Sequence, residues 1–211
     1  MKCLKALGLA AVAAMALTAF ISAGSASATV LCTTTPAAGT ACGTGWHVDE
    51  LDFRAVNEIV LENTSGSIED TCTVATMKAS KKAGNTGSAT TTPIYDVEKA
   101  NMTWGAVGNG CSNTTDSIAG GELEPHWIAG TDNGTVTARG FEWTTVLAGV
   151  SCIFGFGSGT SIGDLTGGAP AILHVNVIMI KTAGSFLCPS TARLTGTYTI
   201  TNHTAVYVVE K

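Results

Sequence analysis

Charge is scarce in this chain. Asp, Glu, Lys and Arg make up 13% of 211 residues, and acids outnumber bases 16 to 11. A basic surface for nucleic acid or anionic lipid is therefore missing. Arginine is confined to Arg54, Arg139 and Arg193, which leaves phosphate recognition poorly supplied. Strong helix formers are thin, and neither long amphipathic windows nor i,i+4 charge pairs recur. Runs of helix between strands are missing, which disfavours a parallel α/β sheet. Beyond the first residues no apolar run reaches membrane length; the longest, 171–180, is interrupted by His174 and Asn176.

Catalytic and metal signatures are equally sparse. Gly157-Ser158-Gly159 is near a nucleophile elbow in composition only and reads as a tight turn. No Cys-x-x-Cys pair occurs and no histidine sits at ligand spacing from a cysteine, which argues against zinc. His47, His126, His174 and His203 are scattered. His47 with Asp49 and Glu50 is the one local group, and its spacing matches no known ligand pattern. His174 lies within the apolar run and reads as a core or edge histidine. Asp132-Asn133-Gly134 lacks the later acids of an EF-hand loop, so it reads as a hairpin turn. Nothing here calls for a metal or a cofactor.

What is present starts with export. Lys2 and Lys5 precede an uncharged apolar stretch over 6–21, then small residues ending at Ala28. This is the pattern of a secretory signal, with cleavage expected between Ala28 and Thr29. Residues 1–28 are then a signal peptide, and 29–211 form one secreted domain. Losing Lys2 and Lys5 makes the remainder more acidic still. Cys3 leaves with the signal. The six remaining cysteines, Cys32, Cys42, Cys72, Cys111, Cys152 and Cys188, form an even set that reads as disulfides in an oxidising compartment. They allow 15 pairings. Proximity along the chain favours Cys32–Cys42, Cys72–Cys111 and Cys152–Cys188.

Threonine and glycine are abundant. Threonine is stiff at χ1 and suits strands, while glycine marks turns and bulges. Strand candidates recur over 68–79, 94–107, 126–129, 135–147, 150–156, 171–180, 194–200 and 205–209. The 171–180 run, apolar on both faces, reads as a central strand covered on both sides. Residues 78–92 read as a polar loop. Many short strands with frequent turns predict an all-β domain, an antiparallel β-sandwich or Greek-key barrel, with little or no helix. One segment dissents: Val48, Leu51, Ala55, Val56, Ile59 and Val60 follow helical spacing behind Asp49 and Glu50, so 48–62 reads as helix or strands.

Several blocks carry a resemblance. They are Asn-Thr-Ser-Gly-Ser at 63–67 with Asp-Thr-Cys at 70–72, Asn-Thr-Gly-Ser-Ala-Thr at 85–90, and the run 121–137 containing Glu-Pro-His-Trp. The segments 151–160 and 165–171, and Gly-Ser-Phe-Leu-Cys-Pro at 184–189 leading to Gly-Thr-Tyr at 196–198, complete the set. Together they resemble an uncharacterised family of small secreted all-β bacterial proteins with signal peptides. The resemblance implies strand and turn rather than helix over 51–63, and it supports Cys152–Cys188. It implies no activity, ligand or catalytic residue.

Two constellations remain as candidate sites. Glu122 and Glu124 share a face if they lie in a strand, as a hydrolase carboxylate pair or as solvated charge. Trp104, Trp127 and Trp143 are candidates for a flat sugar-binding platform, against the competing role of core filler for these and Trp46. The expectation that follows is a non-enzymatic exported β protein acting by interaction at the cell surface, envelope or matrix. A carbohydrate-binding module or a secreted hydrolase stands as the alternative. Candidate partners are an envelope component, a polysaccharide, or another copy of the chain meeting it along long strand edges.

Overall fold

Val, Ile, Thr and aromatic residues placed at every second position hand one face of a strand to the core and the other to water. The computed structural model describes residues 28–35, 42, 47–64, 68–73, 75–84, 91–104, 117–147 and 149–210, and every regular element among them is a strand. In chain order they are β1 (Thr29–Cys32), β2 (Glu50–Ala55), β3 (Ile59–Asn63), β4 (Ile68–Cys72) and β5 (Ala75–Lys81). Next come β6 (Tyr95–Trp104), β7 (Ser117–Ala119), β8 (Gly121–Trp127), β9 (Gly134–Arg139) and β10 (Glu142–Leu147). The series ends with β11 (Val150–Gly155), β12 (Thr160–Thr166), β13 (Ile172–Gly184), β14 (Thr191–Ile200) and β15 (Tyr207–Glu210).

Eight strands close into a barrel in the order β14-β2-β5-β6-β8-β9-β12-β13, sealed by the β13–β14 pairing. An eight-stranded barrel is just narrow enough for side chains to fill. Leu51, Phe53, Ala79, Val97, Leu123, Val136, Leu165 and Leu173 are among the buried residues of these strands. The long ribbon of β13 and β14 also serves a second purpose. Ile172 pairs with Thr199 at one end and Ile180 with Thr191 at the other. The first part of β13 holds β12 and its last part holds β11, while β14 holds β2 at Tyr198–Ile200 and β3 at Ala192–Thr195. The half of the ribbon beyond the barrel therefore carries a wing, with β3 and β4 on one side and β11, β10 and β7 on the other. The two ends of the described chain meet in a separate ribbon, β1 against β15. Its Leu31, Val206 and Val208 join the main core, whereas Val30, Cys32, Cys42 and Val209 make a small cluster on its other face.

The structure settles 48–62 as two strands, which corrects the helical periodicity and agrees with what the resemblance implied. Leu51 and Phe53 point inward from β2, and Ile59 and Leu61 point inward from β3. The break between them holds Val56 in solvent. Two period-2 pieces set eight residues apart place Leu51 and Ile59 at a spacing that imitates a helix face. Asp49 and Glu50 cap no helix; they pair with Lys81 and Lys78 of β5.

Four strand readings also change, one of them 126–129, of which only His126 and Trp127 are strand, at the end of β8. The 68–79 run splits into β4 and β5, and β5 extends to Lys81, so 78–81 is strand rather than loop; Val74 and 85–90 lie outside the described residues. The 135–147 run splits at Gly140, whose φ of 77° sits in the left-handed region that glycine tolerates. The chain turns there, leaving β9 in the barrel and sending β10 to the wing. The 171–180 run is central but covered on one face only. Leu173, Val175, Val177 and Met179 are buried, while His174, Asn176, Ile178 and Ile180 face water. His174 is thus a solvent-facing residue with Nδ1 3.3 Å from Thr197 Oγ1, not a core histidine. The Asp132-Asn133-Gly134 signal does mark a hairpin: β8 and β9 pair from Trp127–Gly134 onward, across a loop at 128–133.

Disulfides join Cys32 to Cys42 and Cys152 to Cys188, with Cα–Cα distances of 5.6 and 5.7 Å. Both pairs are those favoured by chain proximity. Cys72 is buried and disulfide-bonded; its expected partner Cys111 lies outside the described residues. Such bridges suit an oxidising, extracytoplasmic setting. Among the described residues no helix is long and apolar enough to cross a membrane. The expected signal lies outside them, apart from Ala28, and β1 begins at Thr29.

Candidate functional site

The carboxylates singled out by spacing do share a face of β8, and both belong to a ladder of ion pairs on the outer barrel wall. Arg139, opposite Glu122 in the β8–β9 register, places Nε 3.3 Å from Glu122 and also pairs with Glu124. Lys82 pairs with Glu122 and reaches Asp96 at 4.0 Å. The hydrogen bond and the charge of Glu122 together push the Lys82 ammonium above its usual range. His126, on the same strand, lies 3.0 Å from Thr137 Oγ1 through Nε2. Each glutamate faces a cation, which is how exposed cross-strand charges support a sheet. Because these side chains remain part-exposed, Arg139→Met is expected to cost no more than about 1 kcal/mol in a urea melt. A much larger loss would mean that the ladder anchors β8 to β9.

The local group of His47, Asp49 and Glu50 is also dispersed by its partners. Asp49 and Glu50 turn to Lys81 and Lys78, the latter at 2.9 Å. His47 forms an isolated bridge with Cys32. Among the described residues no group of three or more His, Cys, Asp or Glu is arranged to hold a metal ion.

The candidate platform loses one of its three tryptophans. Trp143 is 1% exposed and belongs to the core, a correction for that residue, because its place on β10 faces inward in the i,i+2 alternation with Thr145 and Leu147. Trp127 is half-buried, packs on the core, and donates its indole N–H to the Thr131 carbonyl at 2.6 Å. Trp104 ends β6, and its side chain, like Trp46, lies outside the described residues. Among the described residues, closure of the barrel pairs each of its eight strands on both sides, so they present no long free edge. The outermost strands of the large sheet are β4 and β7, of five and three residues.

The surface feature that sequence reasoning missed is the tip of the β13–β14 ribbon. Phe186 is 89% exposed and Leu187 64%. Two adjacent large apolar side chains held in water by a hydrogen-bonded, disulfide-tied turn make this tip the candidate contact surface. The turn is firmly built. Cys188 N–H donates to the Ser185 carbonyl at 3.1 Å, and Leu187 N–H donates to Ser185 Oγ at 3.2 Å. Lys181 Nζ donates to the carbonyls of Ser185 and Cys188 at 3.3 and 3.5 Å. The Cys152–Cys188 bridge then ties the tip to β11. Ile178 and Ile180 stand exposed on the outward face of β13 leading to it. The available signal was the pair Phe186-Leu187 wedged between Gly184-Ser185 and Cys188-Pro189: a turn of that length has no room to bury two such side chains. No family model, no curated protein and no solved structure matches this chain.

Proposed function

We propose that this chain is an exported, non-enzymatic β-barrel protein that acts by interaction at the cell surface, envelope or matrix, with the Phe186–Leu187 tip as its docking element. The observation that carries this reading is the exposure of both side chains on a disulfide-clamped turn. A rigid tip loses little conformational entropy on binding, so most of the apolar contact it gains goes into affinity. Export is supported by the charged start, apolar stretch and small-residue boundary before Thr29, and by the bridged cysteines. The bacterial origin rests on the resemblance of the blocks at 63–72, 85–90, 121–137, 151–171 and 184–198.

The test is co-sedimentation of the purified protein with host envelope material. The double variant Phe186→Ser, Leu187→Ser is expected to keep its melting temperature, since exposed residues contribute within about 0.5 kcal/mol to stability. Its binding is expected to fall by at least about ten-fold, from the apolar area removed. Undiminished binding by the variant would reject the tip as the docking element. Failure of the parent protein to bind any envelope fraction would reject the reading as a whole.

A further inference from the structure

Two tyrosines are buried in this core, and their hydroxyls fare differently. Tyr95 donates to the Val48 carbonyl at 2.8 Å. Tyr198, on β14, is 5% exposed, yet its hydroxyl has no hydrogen-bond partner among the described residues. The oxygen is not fully enclosed, so it keeps accessible surface and a free donor. Burial pushes the Tyr198 phenol well above its usual pKa, so the group keeps its proton and can donate.

Tyr198 lines a cavity of about 60 Å³ where barrel and wing meet. Leu123, Ile162 and Val175 face it from the barrel, and Ile118 and Trp143 face it from β7 and β10 of the wing. The wall has one charged residue among those described, Glu142, which is itself solvent-exposed. A water needs two to four polar partners and about 10–15 Å³ of such space. The volume therefore accommodates about four non-hydrogen atoms, but the wall is too apolar to hold that many waters. An organic guest with one polar atom matches the wall better, since apolar lining with a few placed polar groups is the usual make-up of a ligand site.

We infer that this cavity is a binding site for a small, largely apolar organic molecule with one hydrogen-bond acceptor, such as a short ketone, ether or alcohol. The alkyl part lies against Leu123, Ile162 and Val175, and the acceptor takes the Tyr198 hydroxyl. The site is independent of the Phe186–Leu187 tip and stands or falls separately from it.

The test uses the full chain and two probes of one shape, acetone and isobutene, followed by methyl NMR. Both are expected to give saturable shifts confined to the methyls of Ile59, Ile118, Leu123, Ile162 and Val175. In Tyr198→Phe the affinity for acetone relative to isobutene is expected to drop by about five-fold, because only acetone loses a hydrogen bond. Val175→Leu, which fills the space and leaves Tyr198 in place, is expected to abolish the shifts from both. Three results overturn the inference: no saturable shift from either probe, an unchanged ratio in Tyr198→Phe, or undiminished uptake by a folded Val175→Leu.

Discussion

Replacing Cys152 and Cys188 together by serine is expected to lower the melting temperature by about 10 °C. The bridge spans 36 residues. In the chain-entropy picture a loop of that size contributes about 4 kcal/mol as an upper estimate, and a domain of this size moves by roughly 2–4 °C per kcal/mol. Both cysteines are buried, so their serine hydroxyls also enter an apolar site. The Cys32–Cys42 bridge, spanning 10 residues, closes a shorter loop and is expected to contribute less, with its loss felt first in β1 and β15. The check is a thermal melt of the variant beside the parent with and without reductant, together with thiol titration of the untreated protein. A shift below about 2 °C would mean that the wing holds the ribbon without its clasp. Free sulfhydryls at Cys152 and Cys188 in the native molecule would overturn the covalent framework and the exported reading built on it.

Gly163→Ala is expected to be more damaging, with a loss above about 4 kcal/mol or failure to accumulate as a folded protein. Gly163 sits at a β-bulge in β12, between β9 and β13. A Cβ there would lie 1.8 Å from the His174 carbonyl oxygen and 2.8 Å from its carbon. These are backbone atoms, so no side-chain rotation relieves the clash; β12 must move away from β13. That opens the barrel at the pairs running from Gly163–Val175 to Thr166–Ile172. Gly159→Ala serves as the control. It has φ of 71° and nothing within 4 Å, so it carries only the left-handed backbone penalty of about 1–2 kcal/mol. Urea melts of the two variants separate steric closure from glycine backbone effects. Equal losses would show that close approach of β12 to β13 does not hold the barrel shut.

The sequence and the structure part company at identifiable places. Alternation was legible where a strand ran straight, as in β8 with Glu122 and Glu124 on one face. It misled where a strand ended without an obvious turn signal. Leu51 and Ile59 belong to successive strands of the same core, and their spacing passed for a helix. The run 171–180 looked covered on both sides because Ile178 and Ile180 are apolar, yet they face solvent on the half of the ribbon that leaves the barrel. The place of Tyr198 at the cavity was invisible because a lone tyrosine in a strand shows no sign of whether its hydroxyl finds a partner.

Composition, cysteine count and period-2 patterning by themselves determined that this is an all-β chain with a signal-like start, and chain proximity named two of its disulfides correctly. These are local properties: χ1 stiffness, apolar alternation and short loop closure act over a few tens of residues at most. Only the tertiary structure decided that the sheet closes on itself, that β13 and β14 carry both a barrel and a wing, and that Phe186, Leu187 and Tyr198 occupy the places they do. Closure joins strands far apart in sequence, such as Phe53 with Ile200, and the wing is attached in the same way through Val60 with Thr195. Which side chains such pairings leave outside, or leave facing a cavity, depends on how all the strands fill one space together.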